Sequence, residues 1–222
     1  MSVLPVIKET RREKSPAASP QALAWHDDLL WVGSRDVPHI YAIDPRHWSV
    51  RFDSEAPGIP WAAVSVGREI RFNIGIAPND DRYIMLYLPG AGFSPTESIT
   101  CPDFTGSYLS FDGENIYLSQ WYEHRILQLD AAGAIHRTFA VGAEISGHTF
   151  VDGRFYVLYG TEKEGGENES WQIGRLDPQE KEPRVEPVAS VPFACRSLTF
   201  DGSNFWTNHR VAHETVCFAL PA

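Results

Sequence analysis

One pattern recurs along this chain and constrains its fold more than any other feature. The segments ALAWHDDLLWVGS, YLSFDGENIYLSQ, HTFVDGRFYVLYG and SLTFDGSNFWTNH superpose on an aromatic at the same place, namely Trp31, Tyr117, Tyr156 and Trp206. A weaker copy, AAVSVGREIRFNI, carries Phe72 there. Each copy reads as an alternating strand, a tight turn of the Asp-Gly kind and a second alternating strand, the strongest short-range hairpin signal. A third strand follows each hairpin (HIYAIDP, RYIMLYLPG, RILQLDAAG, QIGRLDP, ETVCFALP), and a fourth follows in WSVRF, ESIT, IHRTF and VEPVAS. The last copy reaches Ala222 without a fourth strand, while LPVIKET near the other end is β-compatible and has no partner of its own.

The anchors recur about every 40 to 50 residues, the period of four-stranded propeller blades. The expected fold is therefore all-β: a five-bladed β-propeller of four-stranded antiparallel blades, its ring closed by the N-terminal strand pairing with the C-terminal blade. The blades fall at roughly 20–57, 58–104, 105–142, 143–193 and 194–222 plus 3–12, in a single domain over 1–222. A sandwich of irregular strands explains neither the repeated turn nor the orphan end strand.

Composition narrows the function. Among 222 residues, 43% are hydrophobic and 22% charged, which excludes a disordered or coiled-coil chain. The net charge of −10, with no basic stripe to offset it, argues against nucleic acid and anionic membranes as partners. Cys101, Cys195 and Cys217 are odd in number and lack metal-ligand spacing, so no disulfide framework is expected. The N-terminus lacks the apolar stretch of a signal peptide and no run is long enough to cross a membrane, so a cytoplasmic location is expected.

The stretch SYLSFDGENIYLSQWYEHRILQLDAAGAIHRTF resembles a blade of the superfamily that holds the plant and bacterial glutaminyl cyclases, gluconolactonase-like proteins, NHL-type repeats and streptogramin lyases. SPQALAW, from Ser19 to Trp25, is loosely similar to the opening segment of the propeller cyclases. The resemblance implies the propeller fold and, more distantly, cyclase or lyase chemistry.

In a propeller the loops between second and third strands share one face with the crossovers between blades. Here those loops are chemically rich (SRDVPH, GIAPNDD, QWYEH, GTEKEGGENES, HRVAH), whereas the hairpin turns of the opposite face are bland. A site is therefore expected at the channel mouth on the rich face. His148, His209 and Glu123 are the candidate proton carriers, and Arg196, with Arg35, would orient an anionic or carbonyl oxygen. Trp61, Tyr108 and Trp121 would wall the site, and Gln21, His124 and Tyr159 would complete it. Ser34, Gln120, Tyr159 and His209 hold one position relative to their anchors and should form a polar ring. For His148 the two alignments disagree by one residue, which leaves its facing open. Cys195 with His209 is a weaker nucleophile pair, and the charged insertion around Glu162–Ser170 reads as a mobile loop or lid.

No nucleotide, flavin or haem motif is present, and no cofactor is expected; a divalent metal in the channel, prompted by His209 and His213, is the minor alternative. These features favour an enzyme acting on a small organic molecule, anionic or carbonyl-containing, by lyase, cyclase or hydrolase chemistry. The alternative is a non-catalytic propeller that binds a peptide or protein on the same face.

Overall fold

The computed structural model describes residues 4–162 and 169–221. Strand β1 (Lys8–Lys14) precedes blade I, formed by β2 (Pro20–His26), β3 (Leu29–Ser34), β4 (His39–Asp44) and β5 (Ser49–Glu55). Blade II comprises β6 (Ile59–Val66), β7 (Glu69–Ile76), β8 (Asp81–Leu88) and β9 (Gly92–Thr100). Blade III comprises β10 (Leu109–Phe111), β11 (Ile116–Gln120), β12 (Arg125–Leu129) and β13 (Ile135–Ala140). Blade IV comprises β14 (Glu144–Val151), β15 (Arg154–Thr161), β16 (Ser170–Leu176) and β17 (Glu186–Val191), and blade V opens with β18 (Cys195–Phe200), β19 (Phe205–His209) and β20 (Glu214–Ala219). Every sheet has four antiparallel strands, and blade V is completed by β1 in the order β1-β20-β19-β18.

The closing strand lies further along the chain than LPVIKET. Residues 5–7 instead lace the outer edge of blade IV, where Ser190 N donates to Pro5 O and Ile7 N to Ser190 O. The chain then pairs with β20 from Lys8↔Ala219 to Lys14↔Glu214. One segment thus ties blades IV and V before the ring begins, and it removes the free edge that β20 would otherwise expose.

The repeat has a packing cause. The anchors pair across the hairpin with small residues of the innermost strands: Ala24↔Trp31, Ala63↔Phe72, Ser110↔Tyr117, Thr149↔Tyr156 and Thr199↔Trp206. At these positions in the middle of the innermost strands, where neighbouring blades come closest, the side chain is small, and the large aromatic stands one strand further out. The turn residue completes the unit in two blades. Asp112 accepts from the Glu114 and Asn115 amides and the Tyr117 hydroxyl, and Asp201 accepts from the Ser203 and Asn204 amides and Trp206 Nε1.

Between neighbouring blades lie separate apolar clusters, one at each of the five interfaces. The V–I cluster, with Leu23, Leu30, Trp206 and Cys217, packs the last blade on the first. No helix among the described residues is long and apolar enough to cross a membrane.

Candidate functional site

At the axis, on the face of the strand-two to strand-three loops, the innermost strands and those loops enclose a well of about 120 Å³. Gln21, Trp61, Tyr108 and Arg196 come from the starts of innermost strands, Arg35, Trp121, Glu162 and Arg210 from the loops, and Arg82 from the start of β8. Six residues singled out from the sequence therefore meet here: Gln21, Arg35, Trp61, Tyr108, Trp121 and Arg196.

The floor is polar and ordered. Gln21 Nε2 donates to the Tyr108 hydroxyl at 2.9 Å and to Trp61 O at 3.3 Å, while Arg210 Nη1 donates to Gln21 Oε1 at 3.0 Å. The amide is thereby fixed in orientation, with its carbonyl toward a cation and its NH2 toward the phenol. Burial pushes the Tyr108 phenol above its ordinary pKa, against the nearby Arg196 and Arg210, so it stands in the well as a neutral hydroxyl.

One wall is cationic. Arg196, fully buried, donates to Glu162 at 2.6 Å, to Glu169 at 3.0 Å and to Cys195 O at 2.8 Å, and it lies over the Trp121 and Trp171 rings. Its Nε has no partner among the described residues. Arg210 shares Glu162 at 2.9 Å. Arg82 stacks over Trp61 at 3.9 Å and pairs with Asp80, which also takes the Trp61 indole N–H. Arg35 is exposed, lies over the Trp61 ring at 5.4 Å, and has no carboxylate partner among the described residues. Burial raises the Glu162 carboxyl, but Arg196, Arg210 and Arg35 together hold it below the ordinary value. In a chain of net charge −10, this cluster of four guanidinium groups is a local reversal of sign.

The remaining sequence candidates lie elsewhere. His209 points away from the axis: Arg12 of β1 donates to its Nδ1 at 3.0 Å, Glu214 lies 3.7 Å away and Phe193 packs on the ring. Ser34 and Gln120, from the same expected ring, hold the incoming crossovers, Ser34 through Ala18 O and Gln120 through Pro102 O and Thr105 Oγ1. Tyr159 bonds Gln172 within blade IV. The ring that does line the well sits one residue later, at Arg35, Trp121 and Arg210, because successive strand-end residues face opposite ways.

His148 is wedged between blades III and IV, with Nδ1 2.7 Å from Ser110 Oγ and its ring against Phe155. Burial drives its pKa down to about 3, so it is neutral and does not reach the well. Cys195 is buried, its thiol pushed up mainly by that burial, and is no thiolate nucleophile. Glu123 lines an adjoining groove and His124 sits exposed in the turn at positive φ, both outside the well. Among the described residues no three His, Cys, Asp or Glu side chains converge as metal ligands. Of the insertion expected to be a mobile loop or lid, residues 163–168 lie outside the described part.

Sequence reasoning missed Arg82, Arg210 and Glu162. The signal for Arg210 was available, since Arg35 and Arg210 both stand four residues after their anchors, as Trp121 does.

Two other cavities are less organised for chemistry. A cleft of about 550 Å³ at the rim of blade IV mixes Arg154, Arg175 and Arg184 with Glu180, Glu182 and Glu186. The opposite end of the channel holds about 150 Å³ between Trp25, Phe150 and Phe200 and the hydroxyls of Ser110 and Thr149.

No family model matches the chain, and no curated protein matches it in sequence. Solved structures do match its fold. Glutaminyl cyclase from Myxococcus xanthus superposes with a TM-score of 0.71 at 10% identity, covering 97% of this chain and 98% of that one. The PQQ-bound aldose sugar dehydrogenase from Streptomyces coelicolor gives 0.59 at 14% identity, over 93% of this chain and 80% of that one. Hydrazine synthase from Kuenenia stuttgartiensis gives 0.55 at 13% identity, over 89% and 64%. At these identities the likeness is one of architecture.

Proposed function

We propose that the axial well binds a small organic molecule carrying a carboxylate and a reactive carbonyl, and that the protein is an enzyme of the cyclase or lyase kind. The observation that carries this reading is the convergence of four guanidinium groups on a floor made of an oriented amide and a neutral phenol, between two indole rings. Guanidinium groups are the side chains best matched to a carboxylate, and indole faces cover the apolar part of a ligand.

The chemistry follows from what each group can do. The Tyr108 hydroxyl, which accepts from Gln21 Nε2 and keeps its own proton, is a donor placed to stabilise an oxyanion that develops on a carbonyl. Glu162 is the ionisable carboxylate of the well. While clamped by Arg196 and Arg210 it is a weak base. A ligand carboxylate that takes over those guanidinium groups releases Glu162 and raises its proton affinity, so binding of the right anion creates the base that the reaction needs. The fold shared with a glutaminyl cyclase supports ring closure as the first reaction to try.

The test is turnover of free glutamine and of short glutaminyl peptides, followed as released ammonia and by mass spectrometry. Glu162→Gln should lower kcat at least about tenfold while leaving KM within about threefold. Absence of turnover on these and on other carboxylate-bearing carbonyl compounds would overturn the enzymatic reading.

The rim supplies the second reading. Val37, Phe104, Tyr122 and Val211 are exposed apolar side chains on the loops and crossover of this face, a surface suited to a peptide or protein partner. Binding of small carboxylates with no turnover, together with capture of a peptide ligand, would favour it.

A further inference from the structure

The axial well is not closed on the side of blades II and III. A groove of about 330 Å³ continues from it there, sharing Arg82, Ser107, Trp121 and Tyr122 with the well. Its far walls come from the start of β8, the crossover before β10 and the loop after β11, which contribute Asp81, Phe104 and Glu123.

The charge of the groove is opposite to that of the well. Asp80 is taken up by Arg82 and Trp61, and Asp103 faces Arg125 at 3.6 Å. Asp81 and Glu123 have no ion-pair partner among the described residues. On the other side of the shared wall, Arg35 has no carboxylate partner and Arg196 Nε is buried without an acceptor among the described residues, whose carboxylates therefore leave the cations of the well under-compensated. One continuous cavity thus runs from surplus guanidinium at the axis to surplus carboxylate between blades II and III. Aromatic rings stand along it, with Trp121 at the junction and the strongly exposed Tyr122 beside it.

We propose that the ligand is dipolar, with its carboxylate in the axial well and an ammonium or other cationic group reaching into the groove beside Asp81 and Glu123. This rests on the carboxylate site proposed above and adds the substrate class. A ligand with one charged end satisfies half of the cavity, and a ligand with both charges satisfies it all. The aromatic junction suits an uncharged spacer and, at its outer end, a cation held against a ring face.

The experiment is calorimetric titration of the whole protein with two homologous series, straight-chain carboxylates from acetate to hexanoate and ω-amino carboxylates of the same chain lengths. The proposal expects the amino series to bind at least about threefold tighter at its best length, as a solvent-exposed ion pair allows. Affinity should pass through an optimum as the spacer comes to match the separation of well and groove. In Asp81→Asn/Glu123→Gln the ratio between matched amino and plain carboxylates should fall below about twofold. Equal affinity of the two series in the wild type, or a ratio unchanged in the double variant, overturns the proposal while leaving the carboxylate site standing. Failure of both series to bind overturns the carboxylate site, and the dipolar ligand with it.

Discussion

Arg196 links the stability of the ring to the chemistry of the well, and replacing it separates the two. Its partner Glu169 is as deeply buried as Arg196 itself, both side chains being 2% exposed, and among the described residues Trp171 Nε1 is the other group that holds that carboxylate. Arg196→Met keeps the stem that packs on Trp121 and Trp171 but strands a buried charge, which costs about 3–5 kcal/mol. Glu169→Gln removes the charge and keeps an acceptor for the indole, and Arg196 still has Glu162 at 2.6 Å; the expected cost is about 1–2 kcal/mol. Combining the two removes the stranded charge, so the double variant should be more stable than Arg196→Met alone by about 2 kcal/mol. Urea unfolding followed by tryptophan fluorescence measures all three. If the two single costs add within about 0.5 kcal/mol, Arg196 and Glu169 are not coupled and the description of this wall is wrong.

Three further outcomes follow from the same structure. His148 is held neutral with a pKa of about 3 against about 6.5 when unfolded, so the unfolded chain takes the proton first and stability is lost as pH falls. From pH 7 to pH 5 this amounts to about 2 kcal/mol, and His148→Asn, though less stable at pH 7, should lose that much less over the interval; an equal loss in both proteins would refute it. Deleting residues 1–14 removes the β1–β20 ladder and the Arg12–Glu214 ion pair, for a loss of about 5 kcal/mol in urea unfolding; a truncated chain that unfolds like the full one would disprove ring closure. Burial and Arg12 hold the His209 pKa below its ordinary value, so protonating it also destabilises the closing strand as pH drops below about 6.5, and His209→Gln should flatten the acid side of the stability profile without altering ligand affinity.

The architecture could be read from the sequence because the repeat is a packing unit. A small inner residue opposite a large aromatic, fixed in two blades by a turn aspartate, must recur wherever sheets converge on an axis, and it leaves a regular trace. The face that holds the candidate well could be read for a similar reason, since loop chemistry differs between the two ends of the blades. Individual side chains were harder. At a strand end a shift of one residue reverses facing, so the ring expected at Ser34, Gln120 and His209 is found at Arg35, Trp121 and Arg210. Histidine and glutamate attracted attention as acid–base groups, yet His148 and His209 are absorbed by packing and ring closure. Arginine, read as an orienting group, dominates the well. Glu162 could not be placed from its charged insertion because what defines it is a partner, Arg196, 34 residues away in sequence.

The central claim is that the guanidinium groups at the axis form a carboxylate site. Its most direct test is calorimetric titration of wild type and Arg35→Met/Arg210→Met with the tightest-binding plain or ω-amino carboxylate, alongside urea unfolding of both proteins. Charge-assisted hydrogen bonds of about 1.5–3 kcal/mol imply a loss of affinity of at least about tenfold in the double variant, with both proteins folded. Equal affinity in the two proteins would place the ligand elsewhere and contradict the account.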